Sequence, residues 1–107
     1  MKNLFLTTAL ALALAAPALA QVESDDPIKL TLHDWTGQLI TTNLMAAVLE
    51  EAGYNVELVQ ADYLAQFAGL ETGDLHVAME MWETTGRDAM DASTATGNVV
   101  NPGETGM

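Results

Sequence analysis

The chain has 107 residues, no cysteine and a net charge of −12. That length allows one small domain. The missing cysteines exclude disulfides, a thiol nucleophile and a lipid-anchored cysteine. The acidic balance disfavours nucleic acid and anionic membrane surfaces as partners.

In chain order, Lys2 supplies a positive start, and Leu4 to Ala16 is an apolar run interrupted only by Thr7 and Thr8. Pro17 breaks it, and Ala18-Leu19-Ala20 is an A-x-A cleavage pattern. Residues 1–20 therefore read as a secretory signal peptide, too short for a spanning helix, which needs about 20 apolar residues. Export to the periplasm follows as the expected localisation. After Ala20 only Lys29 and Arg87 are basic, against all fifteen acids.

Residues 21–27 form a polar, acidic lead-in that the composition predicts to be mobile. "IKLTLHDW" alternates Ile28, Leu30 and Leu32 with Lys29, Thr31 and His33, a strand pattern ending at Trp35. In "TGQLITTNLMAAVLEEAGY", Leu39, Ile40, Leu44, Ala47 and Val48 recur at helical spacing, and Gly53 suits a helix end. "NVELV" reads as a second strand. A helix capped by Asp62 runs through Leu64, Phe67 and Leu70 to Gly73. "DLHVAMEMW" reads as a third strand ending at Trp82, and Thr84 or Thr85 caps a further helix. From Ser93 the composition turns to loop residues, with Val99-Val100 as a short fourth strand.

The order β-α-β-α-β-α predicts an α/β fold with a parallel sheet and right-handed helical crossovers. Three or four strands leave a sheet edge and some apolar surface uncovered, so residues 28–107 are expected to be part of a larger domain.

Catalytic signals are sparse. His33 and His76 form no metal-ligand spacing, although His33, near a strand end, could line a site. Neither a GxGxxG nor a GxxxxGK[ST] motif is present, and Ser24 and Ser93 lie in polar loops. Glu80 and Glu83 could form an acid–base pair, but rim carboxylates are the simpler reading. No metal or cofactor is expected.

The two tryptophans carry more. In open parallel sheets ligands bind beyond the carboxyl ends of the strands, where the winding reverses. With strand order 2-1-3, the first and third strands lie about 4.8 Å apart, and Trp35 and Trp82 share one rim. Two indole faces in an acidic setting suit a quaternary ammonium; simple packing over the sheet end is the competing reading.

These stretches resemble the substrate-binding proteins of ATP-binding cassette importers for glycine betaine, proline betaine and choline. The resemblance is carried by "LHDWTGQLITTNLMAAVLEEAGYNVELV" and "ETGDLHVAMEMWETTG": a first strand ending in Trp, a helix closing in LEE-x-GY, and a Gly-Asp turn before a strand ending in Trp. It implies the N-terminal part of a type II periplasmic-binding-protein lobe, whose aromatic box holds the trimethylammonium group. The box positions carry over to Trp35 and Trp82. Gly37, at a position that is acidic in some choline-type members, tilts the expectation toward a betaine.

The remaining ligand-binding expectations are Glu80, which adds negative potential, and the helix start at Gly37 with Thr41 or Thr42, as a candidate for the ligand carboxylate. The implied partners are a small quaternary-ammonium or zwitterionic ligand and the permease subunits of the transporter, the only route of membrane contact. The alternatives are a binding protein for another small zwitterion, such as an amino acid or taurine, and an exported α/β enzyme using Glu80 or Glu83.

Overall fold

A computed structural model describes residues 22–104 of the chain. The expected signal peptide lies outside the described residues. Among these, no helix is long and apolar enough to cross a membrane.

The elements are β1 (Ile28–Leu32), α1 (Thr36–Glu51), β2 (Val56–Gln60), α2 (Ala65–Thr72) and α3 (Glu83–Ala95). Strands β1 and β2 pair in parallel, from Ile28 opposite Val56 to Leu32 opposite Gln60, with α1 as the crossover. Helices α1 and α2 are followed by Gly53 (φ 99°) and Gly73 (φ 81°), in the left-handed region glycine tolerates best. Two hydrogen bonds join described residues of the lead-in to the turn before β2. Asn55 Nδ2 donates to Asp25 O at 2.7 Å, and the Tyr54 hydroxyl donates to Glu23 Oε2 at 3.0 Å. That carboxylate raises the Tyr54 phenol's pKa above its ordinary value.

The predicted third strand is not formed. The sheet has two strands, and the expected strand ending at Trp82 contributes one parallel bridge, Leu30 to Val77. Thr31 N donates to Val77 O at 2.8 Å, and Val77 N to Lys29 O at 3.1 Å. Val77 thus lies on the side of β1 away from β2, so the expected order 2-1-3 survives as a chain path, not as a ladder.

Side chains explain why pairing stops there. Toward the start of β1, Lys29 N donates to the His76 ring at 3.1 Å instead of to main chain. Toward its end, the next bridge would join Thr31 O and His33 N to the Met79 peptide. The Gln38 amide takes both: Nε2 donates to Thr31 O at 2.6 Å, and Oε1 accepts from His33 N at 2.8 Å. One buried side chain thereby stands in for a strand residue. Val99 and Val100 likewise lie outside any strand, and Val100 is 80% exposed.

Gln38 also decides which face of α1 turns inward. The buried positions are Gln38, Thr42 and Ala46, spaced by one helical turn, while Ile40, Leu44 and Val48 form an exposed stripe. Of the apolar residues that carry the helical periodicity, Leu39 is half-buried and Ile40, Leu44, Ala47 and Val48 are exposed. Helix α2 packs on α3, where Ser93 Oγ donates to Glu71 Oε1 at 2.6 Å. Thr84 and Thr85 fall inside the first turn of α3, whose N-cap is Trp82. The second helix starts at Ala65 rather than directly after Asp62, with a turn at Tyr63-Leu64 between them.

Gln38→Ala removes two buried hydrogen bonds and leaves His33 N–H without its partner. The expected cost is about 2–4 kcal/mol of stability, at roughly 1–3 kcal/mol for each buried group left unpaired. Urea unfolding of the chain measures it; a loss below about 0.5 kcal/mol would show that water replaces the amide.

Candidate functional site

Strand β1 ends at Leu32, and the chain passes through His33 and Asp34 to Trp35, the extended N-cap of α1 (φ −99°, ψ 150°). Trp82 holds the equivalent place before α3 (φ −104°, ψ 117°). A bulky N-cap supplies no side-chain capping bond, so both helices start without one. In return, each start projects an indole at the same rim. Strand β2 ends at Gln60, and Tyr63 follows three residues later.

Trp35, Tyr63, Trp82, Thr84 and Thr85 line one open recess of about 390 Å³. Tyr63 fixes the relation between its walls. Its hydroxyl accepts from Trp82 N at 2.7 Å and donates to Trp82 O at 3.1 Å. Its ring meets Trp35 edge-on, with centroids 6.0 Å apart and planes at 64°. Gly86 makes this possible, since a β-carbon there would run into the Tyr63 hydroxyl. Trp82 is the open wall, 55% exposed.

Trp35 is held from two further directions. Its ring stacks on His33, with centroids 4.5 Å apart and planes 8° from parallel. Its Nε1–H donates to Glu80 Oε2 at 2.7 Å. His33 is itself buried: Nδ1–H donates to Ala61 O at 2.7 Å, and Nε2 lies 3.0 Å from the Gln66 amide. The Trp35 ring is therefore anchored to the ends of β1 and β2 and to α2. A second recess, lined by His33, Asp34, Gln60, Ala61 and Asp62, shares Trp35 and Tyr63 with the first.

Of the residues singled out from sequence, Trp35 and Trp82 meet at the recess. Glu80 reaches Trp35 but does not line it. Gly37 lies in the first turn of α1, where a β-carbon would stand 3.3 Å from Glu80 Oε1. Thr41 Oγ1 donates back to Gly37 O at 3.1 Å, and Thr42, fully buried, donates to Thr31 O at 3.4 Å. Neither threonine lines the recess, and each hydroxyl bonds a backbone carbonyl. The suggested acid–base pair is also divided: Glu80 accepts from Trp35, while Glu83 pairs with Arg87 on exposed α3.

Tyr63, Thr84 and Thr85 line the recess beside the two tryptophans. Tyr63 carried the same signal as the tryptophans, an aromatic just past the carboxyl end of a strand.

Chemically, the recess offers aromatic faces and hydroxyls with no positive side chain. Lys29 lies at the far end of β1, and Arg87 is paired with Glu83. Among the described residues no three His, Cys, Asp or Glu side chains group to hold a metal ion. The arrangement suits a compact organic cation rather than an anion.

Residues 26–106 match the family described as the substrate binding domain of the ABC-type glycine betaine transport system. Over 82 residues the chain is 26% identical to the trimethylamine N-oxide-binding protein of Pelagibacter ubique (strain HTCC1062). That alignment covers 77% of this chain and 26% of the relative, so the chain spans about a quarter of the relative's length. No solved structure gives a significant match. The family is one of binding proteins, not of enzymes. With its match extending over most of the sequence, this chain belongs to the family of substrate-binding domains of ABC-type glycine betaine transport systems.

Proposed function

We propose that the protein is the extracytoplasmic substrate-binding component of an ABC importer, and that the recess is one wall of an aromatic cage for a quaternary-ammonium or trimethylamine osmolyte. The observation that carries this is the convergence of Trp35, Tyr63 and Trp82 on one recess with no Lys or Arg among its lining residues. A methylated ammonium spreads its charge over methyl hydrogens that cannot donate strong hydrogen bonds. Indole faces are its best partner, contributing roughly 2 kcal/mol or more when water is excluded.

Glycine betaine is the leading ligand, in keeping with the family. Trimethylamine N-oxide, named for the Pelagibacter relative, presents the same trimethylated head. In this reading the ligand's anionic end is held by a second lobe, since Thr41 and Thr42 bond backbone carbonyls within this one. Closure of two lobes would then present the loaded protein to permease subunits, the only membrane contact. The signal peptide over residues 1–20 and delivery to the periplasm belong to the same proposal.

Three measurements on the full-length protein test it. Affinity should fall stepwise from glycine betaine through dimethylglycine and sarcosine to glycine; a flat or inverted series would favour an amino-acid or taurine receptor. Trp82→Ala should weaken glycine betaine by about thirtyfold, the equivalent of roughly 2 kcal/mol. Tyr63→Phe keeps the ring but releases the Trp82 backbone, with an expected loss of about tenfold from one or two hydrogen bonds. Titration followed by tryptophan emission reads all three, and unchanged affinity in Trp82→Ala would remove that residue from the cage.

A further inference from the structure

Trp35 has its plane set by His33, its edge against Tyr63 and its N–H on Glu80. The first two contacts are between rings. The third adds charge, because Glu80 is a half-buried carboxylate at hydrogen-bond distance from the indole nitrogen. Gly37 lies close by: a β-carbon there would stand 3.3 Å from Glu80 Oε1. The lysine and the arginine of the described residues lie elsewhere, Lys29 at the far end of β1 and Arg87 on Glu83. No Lys or Arg side chain pairs with this carboxylate.

We infer that Glu80 is a positioning residue that tunes the cage through Trp35, raising its preference for a cation over a neutral group of the same shape, without touching the ligand. This rests on the reading of Trp35 as a cage wall. A hydrogen bond from a neutral N–H to a carboxylate is short and about twice as strong as a neutral pair. It also pushes electron density from the N–H into the indole ring. The ring face becomes more negative, and that face is what a cation reads. The carboxylate's own field acts in the same direction, at partial burial where solvent screens it less. A purely structural Glu80 would hold the ring for every ligand alike.

The test compares wild-type full-length protein with Glu80→Gln. Glutamine keeps an oxygen acceptor for Trp35 Nε1 and removes the charge. Two ligands are titrated: glycine betaine and 3,3-dimethylbutanoate, in which carbon replaces the ammonium nitrogen and the carboxylate is retained. The expected result is that Glu80→Gln weakens glycine betaine about tenfold while the carbon isostere stays unchanged or binds more tightly. In the ligand-free protein, the Trp35 indole N–H proton resonance, assigned with Trp35→Phe, should move upfield.

Equal weakening of both ligands would overturn the inference and leave Glu80 a packing residue. So would an unchanged preference for betaine over its isostere, or an unmoved indole resonance. If the wild-type protein bound no methylated ammonium, the cage itself would fail. The resonance would still report whether Glu80 polarises Trp35, so the two failures are separable.

Discussion

The Gln38 amide at the end of β1 is the contact on which the rest of the site depends. It takes the carbonyl of Thr31 and the N–H of His33, the two groups that would otherwise continue a ladder toward Met79. With those groups occupied, the chain after Val77 leaves the sheet edge. It brings Glu80 to the Trp35 nitrogen and places Trp82 at the start of α3. The same amide holds the His33 backbone, and the His33 ring supports the plane of Trp35. A side chain substituting for a peptide thus ends one element and aims the next.

The interior behind the recess is unusually polar for so small a unit. Thr31, His33, Gln38, Thr42, Gln66 and Ser93 are buried, beside an apolar core of Leu30, Ala46, Phe67 and Leu75. Buried polar groups need partners: Gln38 and Thr42 bond main-chain groups at the end of β1, His33 bonds Ala61 O and Ser93 bonds Glu71, while Thr31 Oγ1 and Gln66 Nε2 have none. Such a network contributes geometry more than net stability: when it is satisfied it permits few alternative arrangements. The apolar stripe of α1, meanwhile, lies outward. Apolar burial within the described residues is correspondingly modest, and hydrogen bonds position the aromatic rim.

That rim unites two properties that are usually opposed. Its walls are apolar rings, which favour leaving water, yet the chain is acidic and no Lys or Arg lines the recess. A strongly hydrated ion would lose too much water to enter, and an anion would meet no positive partner. A methylated ammonium is weakly hydrated for a cation and presents a nearly spherical surface to the rings. The family match, to a glycine-betaine transport system, is compatible with the proposed use of the recess.

Local pattern in the sequence was enough to locate β1, α1 and β2, the helix-ending glycines, and both tryptophans at the points where elements change. It was enough for the family as well, since the aromatic positions and the Gly-Asp turn fall together. Alternation and helical spacing are properties of neighbouring residues, and they persist whatever the chain packs against. The missing third strand, the inward face of α1, the place of Tyr63 and the bond from Trp35 to Glu80 were decided only in three dimensions. Trp35 and Glu80 are 45 positions apart, and Tyr63 and Trp82 are 19 apart. Gln38 lies only five residues from His33, yet its amide can be read as part of a sheet only once the folded chain shows which ladder groups it occupies. Periodicity states which residues can form an element; the competition between a side chain and a strand for the same N–H is settled by proximity, which the folded chain alone supplies.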